Sequence, residues 1–327
     1  MTEAMSLPSE SVVEVAPRVP SRPAEVLASF VRRWRTALSV IGATVVAAVF
    51  AGVLFGKRGD FSTALQAAPL WLLAIAAVLQ AVALVARSEA WHVCVSAAGG
   101  TVSRRRLYRA ASVGYLGTLV NGQLGVAARI AALRRSAPAE TPRVPALIAA
   151  EIPILVVEAT LAALTSFTLV GPLGLPFWIP PVCIGVTIGI GALLRSISNK
   201  RRSGFWRGIA VMRSLEGRNR VIGFVLIAVV AQISRNWLML HALGIDASIF
   251  DSIALLIGMV ALSQLPVGPS VGAAAAVLIL GANGVAIAAA AGVLLTATGT
   301  AGALGYMTWA LADRFWGRRR TLHAQRA

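Results

Sequence analysis

The sequence has few charged residues. Only 13% of its 327 residues carry a charge, whereas 57% are hydrophobic and the mean hydropathy is +0.77. A soluble domain carries about 25% charged residues. The composition therefore excludes an ordinary soluble domain and predicts an integral membrane protein with long apolar segments.

Cysteine and histidine are also rare. Cys94 and Cys183 lie too far apart in the sequence to indicate a disulfide framework or a metal-ligand spacing. His92, His241 and His323 are scattered, there is no Walker motif, and no serine, histidine and acidic residue can be assigned to one catalytic set. We therefore expect no catalytic residues, no metal site and no cofactor, and we predict that the chain is not an enzyme.

Lysine occurs only at Lys57 and Lys200, so arginine supplies almost all of the positive charge behind the formal net charge of +17. The arginines cluster between apolar segments, as they do in the cytoplasmic loops of multi-pass proteins. A nucleic-acid-binding protein would instead carry a basic face on a soluble fold, so we expect no nucleic-acid partner. The abundance of arginine and alanine indicates a bacterial genome rich in GC. We expect a multi-pass protein of the bacterial inner membrane with cytoplasmic N- and C-termini.

Six apolar segments are long enough to cross a hydrocarbon core of about 30 Å as helices. The basic residues between them place the longest loop, 195–220, in the cytoplasm. We predict a disordered cytoplasmic tail at 1–30, a transmembrane domain at 31–312 and a basic cytoplasmic tail at 313–327. The predicted spans are 36–55, 63–86, 144–170, 175–194, 221–243 and 285–311.

Residues 110–128 form an apolar segment that is rich in glycine and contains Asn121. Arginines flank it on both sides, from Arg104 before it to Arg129 after it. A full crossing would place one basic flank outside the cell, against the positive-inside rule. We therefore predict a re-entrant hairpin that enters and leaves the membrane on the cytoplasmic side, with Asn121 at its tip.

A second segment, 252–280, is apolar but is interrupted near its middle by two prolines, Pro266 and Pro269, and by two glycines. Proline lacks a backbone donor and disfavours helix in the residue before it. Broken backbone is tolerated in a bilayer only where protein or a water-filled cavity supplies the lost hydrogen bonds. We predict a second re-entrant hairpin that is entered from the outside. Two short helices joined by a kink, with no ligand, are the alternative.

The predicted elements follow the same order with opposite orientation in the halves 36–170 and 175–312. This is the inverted-repeat architecture of many secondary transporters. The predicted fold is therefore an all-α polytopic membrane protein with about six transmembrane helices and two re-entrant helical hairpins. If both hairpins were instead full crossings, the chain would have eight transmembrane helices and would lose the charge bias at one loop.

Several polar residues fall inside the predicted spans. Glu151 and Glu158 lie seven residues apart and share one face of a helix, and Gln232, Arg235 and Asn236 share a face of another. A charge at the bilayer centre costs about 3 kcal/mol to insert, so such residues usually face a cavity or a partner. Counted from the start of each span, Glu158 and Arg235 have the same depth, and we predict that they face each other or a shared polar cavity. A purely structural ion pair, or an Arg235 side chain that extends to the outer interface, is the alternative.

The helix that begins near Ser270 would point its N-terminus into the membrane. Unpaired N–H groups and the helix dipole at such an end favour an anion. Arg235 would add a bidentate contact to a phosphate group. We therefore expect an anionic membrane lipid as the ligand, although a carboxylate satisfies the same physics.

Five stretches form a recognisable order along the chain. They are Arg87-Ser88-Glu89-Ala90-Trp91, Tyr115 with Asn121, Gly125-Val126-Ala127-Ala128-Arg129, Glu151, and Pro266-Val267-Gly268-Pro269-Ser270-Val271-Gly272. Together they resemble the transmembrane region of the lysylphosphatidylglycerol synthases. Val126 stands where that family usually has a glutamate, and Ile152 replaces a frequent arginine, so the chain resembles a divergent member.

The resemblance implies a flippase-like protein that binds or translocates an anionic or polyprenyl-linked lipid. The cavity would be lined by Glu151, Glu158, Gln232, Arg235 and Asn236. The re-entrant segments, with Asn121 and the 266–272 break closing the cavity from opposite sides, would contribute Tyr115, Asn121, Arg129, Pro266, Pro269, Ser270 and Gly272. We expect no counterpart of the soluble aminoacyl-transfer domain of the synthases in this chain, and therefore no lysyl transfer. The alternative function is a non-transporting membrane subunit that scaffolds a lipid-modifying or cell-envelope glycan enzyme as its partner.

Overall fold

The computed structural model describes residues 68–118, 122–201, 204–263, 271–281 and 285–324, together with Gly59, Thr63 and Gln66. Side chains are described up to residue 312, apart from those of Gln123 and Val271. The predicted tail 1–30 and the predicted first span 36–55 lie outside the described residues. The same holds for four predicted site residues, Asn121, Pro266, Pro269 and Ser270.

The described residues form helices and short connections, and no strand occurs among them. Two 3-10 helices, Ser166–Leu169 and Gly204–Arg213, lie between α-helices. The predicted all-α fold is therefore confirmed. The α-helices in chain order are α1 Leu70–Ala97, α2 Arg104–Thr118, α3 Gly122–Ser136, α4 Val144–Ala149, α5 Ile152–Leu164, α6 Val170–Leu173, α7 Ile179–Lys200, α8 Leu215–Ala242, α9 Ile249–Ser263, α10 Val271–Leu280 and α11 Val285–Ala324.

Within the described part of the chain, 5 helical stretches are long and apolar enough to cross a membrane. They coincide with the second to sixth predicted spans, so the prediction of a polytopic membrane protein is confirmed. These stretches are Leu70–Ala97, Val144–Leu164, Ile179–Lys200, Leu215–Ala242 and Val285–Ala312.

Helix α1 extends beyond the predicted span. The prediction ended the span at residue 86, before Arg87, whereas α1 continues to Ala97. The chain offers no helix-breaking residue until Gly99, whose φ of 91° lies in the left-handed region that favours glycine after a helix. Arg87 therefore lies inside the bundle rather than in a cytoplasmic loop.

Pro153 divides the third predicted span into α4 and α5. Helix α4 ends at Ala149, and α5 begins at Ile152 with the proline in its first turn. A proline ring collides with the carbonyl group four residues earlier and donates no hydrogen bond, so it kinks a continuing helix. The kink places Glu151 at the junction of the two helices.

The first predicted re-entrant segment is a helical hairpin. Helices α2 and α3 run antiparallel, and a Cβ atom built on Gly117 would lie 3.0 Å from the Cα atom of Gly125. Small residues at a helix contact allow this close approach. Each arm has 15 residues and is about 22 Å long, shorter than a hydrocarbon core of about 30 Å.

The second predicted segment also reverses direction. Gly258 of α9 faces α10, where the Ala275 Cβ atom lies 3.7 Å from the Cβ position of the glycine. The described residues therefore form two hairpins rather than the two extra crossings of the eight-helix alternative. The two hairpins also contact each other, because the Ser263 carbonyl oxygen at the end of α9 lies 3.8 Å from the Cβ position of Gly122 at the start of α3.

Each hairpin belongs to its own apolar core, and the two cores lie at opposite ends of α1. Helices α1 and α8 form the central antiparallel pair between the cores, and alanines fill their contact. Opposed hairpins around a central antiparallel pair are what an inverted repeat predicts. The halves 36–170 and 175–312 stay a prediction, because the first span lies outside the described residues.

Residues 195–220, which the sequence predicts as a cytoplasmic loop, are largely helical. The 3-10 helix Gly204–Arg213 buries Ile209 and Val211 against α1, α4 and α7. This packing gathers the basic helix ends at one end of the bundle. We call that end the basic side and define it by Arg104, Arg134, Arg195 and Arg218.

We predict that Gly125→Ala destabilises the first hairpin. The added methyl group would lie 2.9 Å from the Gly114 backbone oxygen, so the two helix backbones must separate. Overpacking of this kind costs about 1–3 kcal/mol. We expect a lower apparent Tm of the detergent-solubilised protein.

Gly223→Ala is the matched control, since the Cβ position of this α8 glycine has no atom within 4 Å. Its gain in helix propensity should leave the apparent Tm unchanged or raise it. Equal losses of Tm for the two substitutions would contradict the close contact between α2 and α3.

Candidate functional site

Three polar layers follow one face of α1. Gln80, Arg87 and Trp91 lie within about 20° of one line along the helix, and the line is about 16 Å long. Gln80 accepts a hydrogen bond from Arg235 of α8, and Arg87 donates one to Glu158 of α5. Arg129 of α3 stacks on the Trp91 ring. We call these layers the polar track; it runs from the middle of α1 toward the basic side.

The layer farthest from the basic side is built around Arg235 of α8. Arg235 is only 5% exposed, and Asn236 is fully buried. The Nη1 group of Arg235 donates a hydrogen bond to the Gln80 side-chain oxygen, and Nη2 donates to Asn236 Oδ1 at 3.4 Å. No described carboxylate forms an ion pair with Arg235. The Arg235 Nε and the Asn236 Nδ2 have no hydrogen-bond partner among the described residues.

Two glycines of α11 make room for this layer. A Cβ atom built on Gly299 would lie 3.2 Å from Arg235 Nη1, and one built on Gly302 would lie 2.7 Å from the Gln80 Cβ atom. Glycine at both positions lets α11 approach α1 and α8 closely. The approach shields the arginine from the surrounding lipid.

The middle layer is an ion pair between Arg87 and Glu158 of α5. The Arg87 Nε donates to Glu158 Oε1 at 2.8 Å, and Nη2 donates to the same oxygen. The two side chains are 33% and 18% exposed, so this layer is partly open.

From the sequence we predicted that Glu158 and Arg235 face each other or a shared polar cavity. Direct pairing of these two side chains is wrong. The prediction counted depth from residue 221, whereas α8 begins at Leu215. The additional turns carry Arg235 about 9 Å farther from the basic side than the prediction assumed. Arg87, which the longer α1 brings into the bundle, is the partner of Glu158 instead.

The layer nearest the basic side joins the first hairpin to the kink. Arg129 of α3 donates a hydrogen bond to Glu151 Oε2, and its guanidinium carbon lies 4.5 Å from the centroid of the Trp91 ring. The Arg129 and Glu151 side chains are 13% and 10% exposed. Glu151 Oε1 and Trp91 Nε1 have no hydrogen-bond partner among the described residues, so this layer retains one free acceptor and one free donor.

Tyrosines fasten the first hairpin to α1 and α11. The Tyr115 hydroxyl donates to the Leu84 carbonyl oxygen at 3.2 Å. The Tyr306 hydroxyl lies 2.9 Å from the Ser88 hydroxyl, and its ring meets the Tyr115 ring edge-to-face with centroids 5.9 Å apart. Tyr115, a predicted re-entrant residue, therefore positions the hairpin beside the polar track.

The polar track carries one positive charge more than its acids neutralise. Nearby Glu89 does not cancel this charge, because it accepts a hydrogen bond from Tyr108 and lies 3.7 Å from Arg104. An uncompensated charge in a low-dielectric interior is costly, so this arrangement favours a bound anion. The charged members of the track are Arg87, Arg129, Arg235, Glu151 and Glu158.

Two predicted site residues make no described hydrogen bond to the track. Gln232 is half-buried on α8 and makes no hydrogen bond to a described residue. Gly272 packs against α11, since its Cβ position lies 2.7 Å from the Gly292 carbonyl oxygen. The predicted residues that the structure brings together are Glu151, Glu158, Arg235, Asn236 and Arg129.

The sequence prediction omitted Gln80, Arg87 and Trp91 from the site. The sequence spacing of these three residues could have shown that they share one face of a helix. The prediction missed this face because it assigned Arg87 to a loop. The described part of the chain contains no group of three or more His, Cys, Asp or Glu side chains that could hold a metal ion.

Comparison with known proteins gives one family. The family described as lysylphosphatidylglycerol synthase TM region matches residues 33–312, a range that includes both hairpins and the whole polar track. Neither the curated proteins nor the solved structures give a match.

We predict that Glu158 is energetically coupled to Arg87 and not to Arg235. Double-mutant cycles of the apparent unfolding free energy in detergent test this. The Arg87→Gln/Glu158→Gln cycle should give a coupling of about 1–3 kcal/mol, because either single change leaves a charge unpaired.

The Arg235→Gln/Glu158→Gln cycle is the matched comparison, with one shared substitution. Its two effects should add to within about 0.5 kcal/mol, because Arg235 and Glu158 share no partner. A larger coupling in this second cycle than in the first would contradict the layered arrangement.

Proposed function

We propose that this chain, which belongs to the lysylphosphatidylglycerol synthase TM region family, binds an anionic or polyprenyl-linked lipid at Arg235 and moves its phosphate along the polar track. Membership of the family supports a membrane protein with flippase-like lipid function. The choice of a lipid phosphate rests on the chemistry of the track.

The observation that carries the proposal is the unbalanced charge of Arg235. The guanidinium is almost fully buried, and the described residues supply it with amide dipoles but no carboxylate. Guanidinium binds phosphate in a bidentate manner, and such charge-assisted hydrogen bonds are the strong ones. The unpartnered Arg235 Nε and Asn236 Nδ2 would both donate to phosphate oxygens.

Arg87 and Arg129 offer two further positions for the phosphate toward the basic side. Both arginines are held by glutamates, so a lipid phosphate would exchange with a carboxylate as it moves from layer to layer. Successive layers are about 6–10 Å apart along α1. A headgroup could therefore contact the next arginine before it leaves the previous one.

We propose that the hairpin ends beside Gly122 and Ser263 close this path. Gly122 and Ser263 bring the first and second hairpins together, and α10 begins beyond the break at Val271. We propose that the N-terminus of α10 adds backbone donors and a positive dipole to the anion site. We further propose that the basic side faces the bacterial cytoplasm, as the positive-inside rule requires.

Leaflet-resolved lipid movement in proteoliposomes tests the function. The probes are a fluorescent phosphatidylglycerol and a fluorescent polyprenyl phosphate, assayed by quenching from one side. Arg235→Gln should reduce the rate about tenfold or more, since a hydrogen bond to a charged group is worth about 1.5–3 kcal/mol.

Arg220→Gln is the matched control, because Arg220 lies on the same helix, is 64% exposed and pairs with Glu216 on the basic side. It should leave the rate unchanged. Failure of folded wild-type protein to move either lipid would refute transport and favour the scaffold for a membrane enzyme.

A further inference from the structure

A groove of about 380 Å³ lies on the opposite face of α5 from the polar track. Val156 and Thr160 line the groove, and they lie about 140–180° around the helix from Glu151. The groove is bounded by α5, α7, α8 and the 3-10 helix on the basic side. It is therefore separate from the arginine layers described above.

The groove is apolar and opens toward lipid. Apolar side chains such as Ile188 and Ile222 form most of its lining, and the Thr160 hydroxyl is already satisfied by the Val156 carbonyl oxygen at 2.7 Å. Only 6% of the most apolar 18-residue stretch of α7 is buried, so α7 forms the outer side of the groove and exposes most of its surface. Gly191 lines the groove without a side chain, and its Cβ position lies in van der Waals contact with Val156 Cγ1 at 3.5 Å.

Arg195 of α7 and Arg218 of α8 line the end of this groove on the basic side. Arg195 is exposed and Arg218 is half-buried. Neither forms an ion pair with a described carboxylate. An apolar slot that ends in two unpaired cations is complementary to a phospholipid, whose apolar acyl chain leads to a headgroup phosphate.

We infer that the groove binds an anionic phospholipid of the leaflet on the basic side. An acyl chain occupies the slot between α5 and α7, and the phosphate lies between Arg195 and Arg218. Residues 36–55 of this chain are the competing occupant. Their flanks carry Arg35 and Lys57, and like charges disfavour placing them beside the two arginines. This inference does not rest on the proposed function, because it concerns equilibrium binding on the other face of α5.

Native mass spectrometry of the full chain in detergent tests the phosphate contact. The delipidated protein is titrated with phosphatidylglycerol or with phosphatidylcholine of the same acyl chains. In Arg195→Gln/Arg218→Gln, one phosphatidylglycerol should bind about thirtyfold more weakly, from the combined loss of two arginines near an anionic headgroup. Phosphatidylcholine binding should not change.

Arg135→Gln/Arg220→Gln removes the same charge from exposed positions on the basic side that do not line the groove. This control should bind phosphatidylglycerol like the wild type. Equal affinities of the two double variants would overturn the inference, and they are the result expected if residues 36–55 filled the groove instead.

A second pair of variants tests the acyl slot. Gly191→Leu fills the groove and should abolish binding of the one phosphatidylglycerol molecule. Gly189→Leu on the same helix places its side chain in open space and should leave this binding unchanged. If Arg195→Gln/Arg218→Gln loses phosphatidylglycerol binding but Gly191→Leu does not, the lipid headgroup is attracted only to the surface. This result would overturn binding within the groove.

Discussion

A guanidinium buried between apolar helices needs a counter-charge, and the described residues give Arg235 none. Gln80 and Asn236 satisfy part of its hydrogen bonding, but amide dipoles do not neutralise a charge. The cost of holding this cation in lipid is several kcal/mol in ordinary cases. The alanine contact of α1 with α8 and the glycines of α11 nevertheless enclose it. In our account a lipid phosphate supplies the missing charge.

The rest of the fold determines what lies next to that arginine. Glycine contacts close the first hairpin and carry Arg129 to the kink at Pro153, where Glu151 accepts its hydrogen bond. The uninterrupted α1 places Arg87 opposite Glu158 in the same way. The glycine contacts, the proline kink and the length of α1 thus determine the order of the charged layers. Local packing and the proposed function cannot be altered independently.

The sequence predicted the elements better than their ends. Hydropathy located the described spans, arginine flanks located the first hairpin, and the proline and glycine interruption located the second. Insertion into a bilayer imposes these patterns directly. The same arginine rule misplaced Arg87, since it cannot distinguish a loop arginine from one compensated by a distant glutamate. That pairing joins residues 71 positions apart and depends on the register of two helices. Of the polar residues named from the sequence, Glu151, Arg235 and Asn236 are buried and the Glu158 side chain is 18% exposed, whereas their partners could be identified only from the fold.

The most direct test of the central claim supplies the missing counter-charge from within the protein. Gln80→Glu keeps the size of the side chain that contacts Arg235 and adds a carboxylate. We would measure the apparent Tm in detergent with and without phosphatidylglycerol. In an Arg195→Gln/Arg218→Gln background, which removes binding at the groove between α5 and α7, we predict that Gln80→Glu has a higher Tm than its parent without lipid and loses the stabilisation that lipid gives the parent. A lower Tm together with unchanged stabilisation by lipid would show that Arg235 is not the anion site.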